Sequence, residues 1–336
     1  MDTLTHIALG ACVGDALLGK KIGKRAMLVG AMANSIPDVD FISSFWLPID
    51  ENLLAHRGFT HSILFCIITA FFMALLFKRW FHPKTILLKK WILFFSIELF
   101  LHLFIDAFNA YGVGWFEPFS HYRISFNTIF VVDPFFSVWL GIATIALIIL
   151  KKKNKKRKLW RAFGLGLSSV YLLYCVVNKF KIDAEAKDTL AQQKIAYKDF
   201  FTTPTPLNNW LWYIVVKNDT GFYIGYQSLF DSQKKIDFHF FPSNDSLLET
   251  VHDHKEIQNL IRFSKKWYTV NRYRDTIMFN DLVFGQVAGW ENPTAPFVFR
   301  YILNHPENNN LIIQRGRFEM WNGHTIQTLI RRIGGN

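Results

Sequence analysis

Four short motifs in the first third of this sequence contain side chains that bind metal ions. They comprise Thr5-His6, Pro37-Asp38-Val39-Asp40, His56-Arg57-Gly58-Phe59-Thr60-His61, and His102 followed four residues later by Asp106. Each motif lies in or beside a strongly apolar segment, where an unpaired imidazole or carboxylate is energetically costly. We therefore expect these side chains to have partners or to bind ions. The candidate metal ligands are His6, Asp38, Asp40, His56, His61, His102 and Asp106.

Two of the motifs supply carboxylates that can meet an ion. His102 and Asp106 are four residues apart in an apolar segment predicted to be helical, so both project from one helix face. Glu98 lies one turn earlier on that face, and its carboxylate could accept the second N–H of His102 and orient the ring. A turn at the end of the second apolar segment would aim Asp38 and Asp40 inward. The alternatives are a buried hydrogen-bonded pair without metal on the helix, and a solvated loop for the two aspartates.

The other two motifs supply histidines. Gly58 permits a tight backbone path between His56 and His61 at the start of the third apolar segment. Thr60 is predicted to cap the helix that begins there and to support the ligands, with His61 in the first helical turn. His6 lies one turn into the first apolar segment, where contact with the membrane surface is the alternative.

Seven candidate ligands exceed the four of a single structural zinc site. Either two metal ions bind about 3.5 to 4 Å apart, or one ion binds and the remaining groups supply a general base and orient the ligands. Mixed imidazole and carboxylate ligands without thiolate favour zinc and leave manganese and iron(II) open.

The composition places these motifs in a membrane protein. The chain has 336 residues, of which 51% are hydrophobic and 17% aromatic. Four apolar stretches approach the length of roughly 17 to 25 residues that a membrane-spanning helix needs. Two further stretches are too short to be assigned as complete spans. We expect an all-α polytopic membrane bundle of about four to six segments. The longer stretches are residues 62–77, 91–105, 134–150 and 162–178, and the shorter ones are 7–18 and 26–36.

Basic residues between the apolar stretches predict the orientation of the bundle. If each basic connection is cytoplasmic, the stretches alternate in direction, and all four motifs lie on the non-cytoplasmic face together with everything after Lys179. The lysine-rich run 151–158 is flanked by apolar stretches, so we interpret it as a cytoplasmic loop and expect no nucleic-acid partner. Seventeen of the 20 lysines and arginines in residues 1–180 occur in the connections 20–25, 78–90 and 151–161.

The pattern changes after residue 180. We predict a membrane-embedded, metal-dependent hydrolase domain in residues 1–180 and a soluble α+β domain on the non-cytoplasmic side in residues 181–336. No strong catalytic motif occurs in the second domain. Its predicted helices cover residues 183–201 and 246–266, and its predicted strands cover 210–216, 222–229, 236–241, 268–273, 297–302 and 311–313, the first two joined as a hairpin through 218–221.

The four motifs, together with Asn109 and Tyr111-Gly112, resemble the YdjM-like family of membrane-bound metal-dependent hydrolases. The resemblance covers roughly residues 1–150, with the motifs in order and at similar spacing. It implies a multi-pass protein of the bacterial inner membrane with a His/Asp metal centre, distantly similar to the helical fold of zinc-dependent phospholipases C and nucleases. It implies the same seven metal-site candidates and supplies no substrate.

These observations lead to a functional expectation. We expect hydrolysis of an ester, foremost a phosphoester of a lipid or envelope metabolite, by metal-activated water, with Asp38 or Asp40 as general base. Arg57 and Arg123 are the candidate phosphate-binding residues, with contact to lipid headgroups as their alternative. The alternative function is a non-catalytic membrane protein that senses, carries or is held together by a metal ion. Expected partners are membrane lipids and a small-molecule or lipid substrate, and Asn109 and Tyr111 are further candidate substrate-binding residues.

Overall fold

The computed structural model describes residues 1–81, 86–233, 235–303, 309 and 321–336. They form two compact units. One unit comprises Met1–Ser43 and Ala55–Cys175, and the other comprises Ser44–Leu54 and Val176–Asn336.

The N-terminal part of the chain is helical, as the apolar stretches predicted. Asp2 caps the first helix by accepting a hydrogen bond from Thr5 N at 3.0 Å. Ser62, and not Thr60 as predicted, caps the fourth helix through Phe65 N at 3.0 Å. The elements in order are α1 Thr3–Ile22, α2 Arg25–Ser35, a 3-10 helix Pro37–Phe45, α3 Ile49–Ala55, a 3-10 turn Phe59–His61, α4 Ile63–Trp80, α5 Leu88–Asp106, α6 Pro134–Ile149 and α7 Lys156–Gln192.

Glycines allow α1 and α2 to pack backbone against backbone. A Cβ atom on Gly10 would lie 2.4 Å from the Gly30 carbonyl oxygen and 2.6 Å from Asn34 Cβ. A Cβ atom on Gly14 would lie 2.2 Å from the Ala26 carbonyl oxygen. Small residues are the usual means of close helix approach in membrane proteins, where lipid gives no hydrophobic advantage to helix association. The contact brings the end of α2 against the first turns of α1.

Gly10→Ala should destabilise this crossing, because the new methyl group has no room and the helices must separate. We expect a loss of about 1 to 3 kcal/mol in unfolding free energy, measured by thermal unfolding in detergent. Gly141→Ala in α6 is the matched control, since a Cβ atom there meets nothing within 4 Å. Equal unfolding midpoints for the two variants would contradict the packing argument.

Two of the described helices are long and apolar enough to cross a membrane, judged by length and composition. They are α4 and α7, and the apolar α6 is shorter at 16 residues. Helix α5 has 19 residues but contains Lys89, Lys90, Glu98 and Asp106. The expected four to six segments are therefore supported for two helices only.

The lysine-rich connection is partly buried in the helical unit. Arg157, at the start of α7, donates a 2.5 Å hydrogen bond to the buried carboxylate of Asp15 in α1. Arg161 lies 3.0 Å from the other carboxylate oxygen. Two basic residues of the connection 151–161, which was predicted to be a cytoplasmic loop, therefore fasten α7 to α1.

The second unit contains two antiparallel sheets, ordered β1-β2-β3-β4 and β5-β6-β7. The predicted hairpin is confirmed: Asn218 Oδ1 accepts from Gly221 N at 2.8 Å between β2 and β3. The elements are β1 Asp199–Pro204, β2 Leu211–Lys217, β3 Gly221–Ser228, β4 His239–Pro242, a 3-10 helix Asp245–Thr250, α8 His254–Phe263, β5 Tyr268–Tyr273, β6 Thr276–Gln286, β7 Phe297–Ile302 and α9 Gly323–Ile333.

Several predictions for this unit were wrong. The helix predicted over 183–201 is the end of α7, which stops at Gln192, and β1 follows because its backbone pairs with β2. The helix predicted over 246–266 is broken, because Asp253 caps a new helix through Glu256 N at 2.9 Å. Strand β6 and helix α9 were not predicted, and the strand predicted over 311–313 lies outside the described residues.

The segment between the two middle motifs belongs to this second unit. Asp50 in α3 accepts a 2.7 Å hydrogen bond from Asn259 in α8. Glu51, its neighbour, forms an ion pair with Lys255. The chain that leaves the helical unit after Ser43 is thus held by α8 before it returns at Ala55.

Asp281 in β6 is a buried carboxyl group. Its Oδ1 accepts from Val283 N at 2.7 Å, and its Oδ2 has no hydrogen-bond partner within the described part of the chain. Burial outweighs that hydrogen bond and raises the pKa of Asp281 from 3.8 to about 7. Between these two values the unfolded chain ionises while the folded chain stays protonated, so stability falls as the pH rises from about 4 to 7.

Asp281→Asn should therefore stabilise the protein at pH 8 and have little effect at pH 4, because the amide stays neutral at both values. The measurement is the thermal unfolding midpoint of the second unit in the full chain from pH 4 to 8. A difference between variant and parent that does not grow with pH would contradict a buried, neutral Asp281.

Candidate metal centre

Asp38, His61, His102 and Asp106 converge at one point of the helical unit. One possible ligand atom from each lies within 4.8 Å of the others. The Nε2 atoms of His61 and His102 are 3.0 Å apart, and Asp38 Oδ1 lies 3.6 and 3.5 Å from them. Asp106 Oδ2 lies 3.6 Å from the first and 3.8 Å from the second. A tetrahedral ion with bonds of about 2.0 to 2.1 Å sets its ligand atoms roughly 3.3 Å apart, so these separations fit one ion.

The hydrogen bonds of the two imidazoles decide which nitrogen can bind an ion. His102 Nδ1 lies 2.5 Å from the Asn34 carbonyl oxygen, which can only accept, so this nitrogen carries the proton. His61 Nδ1 lies 3.1 Å from the Thr60 hydroxyl and 3.2 Å from Asp40 Oδ2. Because that hydroxyl donates its own hydrogen to Asp40, both neighbours accept from His61 Nδ1. In the neutral rings both Nε2 atoms then present lone pairs to each other. Facing lone pairs beside two carboxylates repel one another unless a cation lies between them, so the donor set fits a divalent metal.

Asp106 is surrounded by positive and polar groups that hold it in place. Its Oδ1 accepts from the Met1 amino group and lies 3.0 Å from His6 Nε2. Its Oδ2, the oxygen that faces the centre, lies 3.0 Å from Arg57 Nε. The His6 ring also stacks on the His102 ring, with centroids 3.8 Å apart. His6 therefore supports two ligands and lies outside the group of four.

Asp40 lies outside the group of four and contacts one of its members, His61. It receives Arg57 N at 2.7 Å and the Thr60 hydroxyl at 3.2 Å, besides His61 Nδ1. Its other oxygen lies 3.0 Å from His56 Nδ1. Burial opposes ionisation, but the hydrogen bonds with His56 and His61 outweigh it and hold the pKa of Asp40 well below its usual range. This carboxylate is engaged on both oxygens.

Asp38 is the accessible member of the group. Its side chain is 19% exposed, whereas the other three ligands are fully buried. Burial is again outweighed, here by the hydrogen bond with His61 and by the charges of neighbouring side chains, and the pKa of Asp38 falls to about 2. Asp38 is therefore an ionised candidate ligand on the exposed side of the cluster.

The guanidinium of Arg57 is engaged within the protein. This buried residue has a left-handed backbone with φ of 58°, a conformation that non-glycine residues seldom adopt. Besides its contact with Asp106, it donates to Asn109 Oδ1 at 2.8 Å and to the Met1 carbonyl at 3.2 Å. The guanidinium thus contacts a candidate metal ligand, and phosphate binding by Arg57 stays a prediction.

The remaining candidate substrate residues surround Arg57. Tyr111 lies between two guanidinium groups, 5.1 Å from that of Arg57 and 5.7 Å from that of Arg123. Arg123 donates to the His56 carbonyl at 2.9 Å. Asn109 accepts from Tyr111 N at 2.9 Å, and its Nδ2 is a buried donor with no hydrogen-bond partner among the described residues.

Asn34 is the important residue that sequence analysis missed. Its side-chain oxygen lies 3.1 Å from His6 Nδ1, and its carbonyl orients His102. Glu98 was predicted to orient His102, but it instead accepts from Asn34 Nδ2, at 2.7 Å through its carbonyl and 3.3 Å through its carboxylate. The signal available in the sequence was a single amide within the apolar stretch 26–36.

The arrangement favours one ion over two. Within the described residues, a single group of His, Cys, Asp and Glu side chains brings at least three ligand atoms into metal-binding range. His56, the seventh candidate, is paired with Asp40 and lies edge-on to the Tyr111 ring, with centroids 5.1 Å apart. The three candidates outside the group are held by ionic contacts: His6 with Asp106, Asp40 with His61, and His56 with Asp40.

A helical unit with two candidate membrane spans and a buried His₂Asp₂ cluster defines a membrane protein with a candidate metal centre. The family model for the YdjM inner membrane protein matches residues 1–182, and the chain belongs to this family of the inner membrane. It is 33% identical over 122 residues to the inner membrane protein YbcI of Escherichia coli (strain K12), which covers 36% of this chain and 69% of YbcI.

A second relative is the protein YfhP of Bacillus subtilis (strain 168). It is 33% identical over 158 residues, or 44% of this chain and 46% of YfhP, so the match spans less than half of that protein. No solved structure matches the chain.

Removal of a ligand should abolish metal binding. For His61→Ala or Asp106→Ala we expect metal affinity to fall by more than about 100-fold, since residues that merely orient ligands contribute about 10- to 100-fold. The measurement is metal per chain, by elemental analysis of protein equilibrated with buffered zinc or manganese. His324→Ala is the control, because that exposed histidine pairs with Glu291 in the second unit. Full metal content in both ligand variants would show that the centre lies elsewhere.

Proposed function

We propose that this protein is a metal-dependent hydrolase of the inner membrane that cleaves an ester, foremost a phosphoester of a lipid or envelope metabolite. The observation that carries the proposal is the pair of Nε2 atoms 3.0 Å apart, each on a ring whose Nδ1 is engaged elsewhere. A divalent ion bound there supplies Lewis-acid catalysis and lowers the pKa of water. Two imidazoles and two carboxylates in a tetrahedral set favour zinc, with manganese and iron(II) as alternatives.

His56 is better suited than Asp38 or Asp40 to accept a proton. Asp38 faces the ion and Asp40 is engaged by four donors, so neither carboxylate is available as a base. Burial, partly offset by the Asp40 contact, lowers the pKa of His56 below 6.5, so its ring is neutral at pH 7. Asp40 fixes the Nδ1 side of the ring, and Nε2 is left as the basic atom. The His56 ring centroid is 6.4 Å from that of His61, so the candidate base lies beside the cluster.

The buried donor on Asn109 supports an oxyanion substrate. Its Nδ2 has no hydrogen-bond partner within the part of the chain that is described, and its Oδ1 is fixed by Arg57. Arg57 contacts both Asn109 and Asp106. A fixed, desolvated donor there would stabilise negative charge that develops on a phosphoryl or carbonyl oxygen. Arg123 and Tyr111 form the neighbouring wall.

We further infer that the centre lies on the non-cytoplasmic side of the inner membrane. The basic connections 20–25, 78–90 and 151–161 are placed in the cytoplasm by the positive-inside rule. The helix ends that bear the four ligands are the opposite ends. The soluble residues 181–336 then lie on the non-cytoplasmic side as well.

A non-catalytic metal site is the competing function. It is favoured by the complete burial of His61, His102 and Asp106, which is typical of closed structural sites. The exposure of Asp38 and the presence of a neutral histidine beside the cluster favour catalysis. The two functions differ in the effect of removing the His56 side chain. Only a hydrolase would lose its catalytic rate while its metal content stays the same.

His56→Ala should lower the rate of phosphoester hydrolysis by about 100-fold or more, the usual contribution of a general base, while metal content stays unchanged. The parent rate should fall as the pH drops below 6.5, because protonation removes the base. The assay uses bis(p-nitrophenyl) phosphate and phospholipid in mixed micelles, with metal per chain measured in parallel and His324→Ala as control. Equal rates in the parent and in His61→Ala would contradict metal-dependent hydrolysis.

A further inference from the structure

A short hairpin joins the metal centre to an exposed aromatic tip. Val113 and Ile124 form an antiparallel bridge with two hydrogen bonds of 2.9 Å, and we call residues 113–124 the site hairpin. Its base is fixed to the motif that carries His56 and Arg57. Gly114 N donates to the Arg57 carbonyl and Arg123 to the His56 carbonyl, each at 2.9 Å.

The tip of the site hairpin exposes large apolar side chains. Phe119 is 84% exposed and Tyr122 is 70% exposed, and Phe116 is exposed as well. Single exposed hydrophobic residues are common on soluble surfaces, but three aromatic residues within seven positions at the edge of a polar site are unusual. Their exposure calls for an apolar or interfacial surrounding.

The exposed surface continues from the tip onto a candidate membrane span. Ile63, the first residue of α4, donates its N–H to the Trp115 carbonyl at 3.0 Å. Ile63, Ile67 and Phe71 are exposed along α4. At 18 residues, α4 is about 27 Å long, close to the thickness of the hydrocarbon core. Lys78 and Arg79 occupy its other end, as expected for the opposite interface.

We propose that the tip of the site hairpin lies in the headgroup region of the bilayer, and that the centre acts on membrane lipids that approach from that leaflet. Phenylalanine and tyrosine are favoured at this depth because their rings are apolar and the tyrosine hydroxyl reaches water. A soluble metabolite would require no such tip. The inference of a lipid substrate rests on the proposed hydrolase function, whereas the inference of tip insertion does not.

The site hairpin also explains how a headgroup reaches the ion. At its base, Arg123 donates to the His56 carbonyl, and the His56 ring contacts Asp40. Asp40 contacts His61, which lies next to the accessible ligand Asp38. With the tip at headgroup depth, the ester linkages of a lipid lie at the level of the exposed side of the cluster. The acyl chains remain along the apolar face of α4, so the lipid need not leave the bilayer.

Insertion is tested by a fluorescent label and lipid-borne quenchers. Phe119→Cys is labelled with an environment-sensitive dye in proteoliposomes, and the native Cys12, Cys66 and Cys175 are buried. Nitroxide carried near the headgroup should quench this label at least about twofold more than a label on Asp219→Cys, which lies in an exposed turn of the second unit. Quenching by aqueous iodide with none by lipid nitroxide would overturn insertion and would show that the tip lies in water.

The substrate class is tested by a pair of activity measurements. Phe119→Ser combined with Tyr122→Ser should lower hydrolysis of phospholipid in vesicles by about tenfold. It should leave hydrolysis of soluble bis(p-nitrophenyl) phosphate within about twofold of the parent, because no residue of the centre is altered. Phe230→Ser is the control, an exposed aromatic in the second unit. Equal losses on both substrates would overturn the lipid assignment, and a parent inactive on both would refute the hydrolase function while the quenching result still stands.

Discussion

The close approach of two histidine Nε2 atoms is the constraint on which the helical unit depends. At 3.0 Å, with two carboxylates beside them, these atoms are stable only if a proton or cation lies between them. The opposite nitrogen of each ring is held by acceptors, the Asn34 carbonyl for His102 and Asp40 with the Thr60 hydroxyl for His61, which fixes the tautomers. The two rings come from α5 and from the turn before α4, so the same interaction also links two helices.

The packing of α1 on α2 makes that approach possible. Gly10 and Gly30 allow the backbones to touch, and the crossing places Asn34 against α1. Asn34 then serves three elements: it fixes His102 on α5 through its carbonyl and His6 on α1 through its amide, and it donates to Glu98. A methyl group at the crossing would therefore disturb stability and the metal centre together. This coupling is common where small residues substitute for the hydrophobic effect in membrane packing.

Charge is neutralised locally on both sides of the centre. The Arg57 side chain pairs with the candidate ligand Asp106, and its backbone N–H donates to Asp40. Asp40 in turn contacts a second candidate ligand, His61. At the other end of α1, Asp15 pairs with Arg157 and Arg161. The segment between Asp40 and His56 passes through the second unit, where α8 holds it. Both flanks of the cluster are thus tied to elements far away in sequence.

The sequence by itself determined the inventory of ligand types, the helical class of the first unit, its family and the β2-β3 hairpin, because these depend on residue types, hydropathy and short-range spacing. Tertiary structure decided which of seven candidates converge and which support them, since the partner of each imidazole nitrogen depends on helix crossings that no local pattern encodes. For the same reason the sequence did not reveal the contacts of Arg57 with Asp106 and Asp40, or the role of Asn34. Strand β1 took the place of the last three residues, 199–201, of a predicted helix because pairing with β2, a non-local contact, outweighed local propensity.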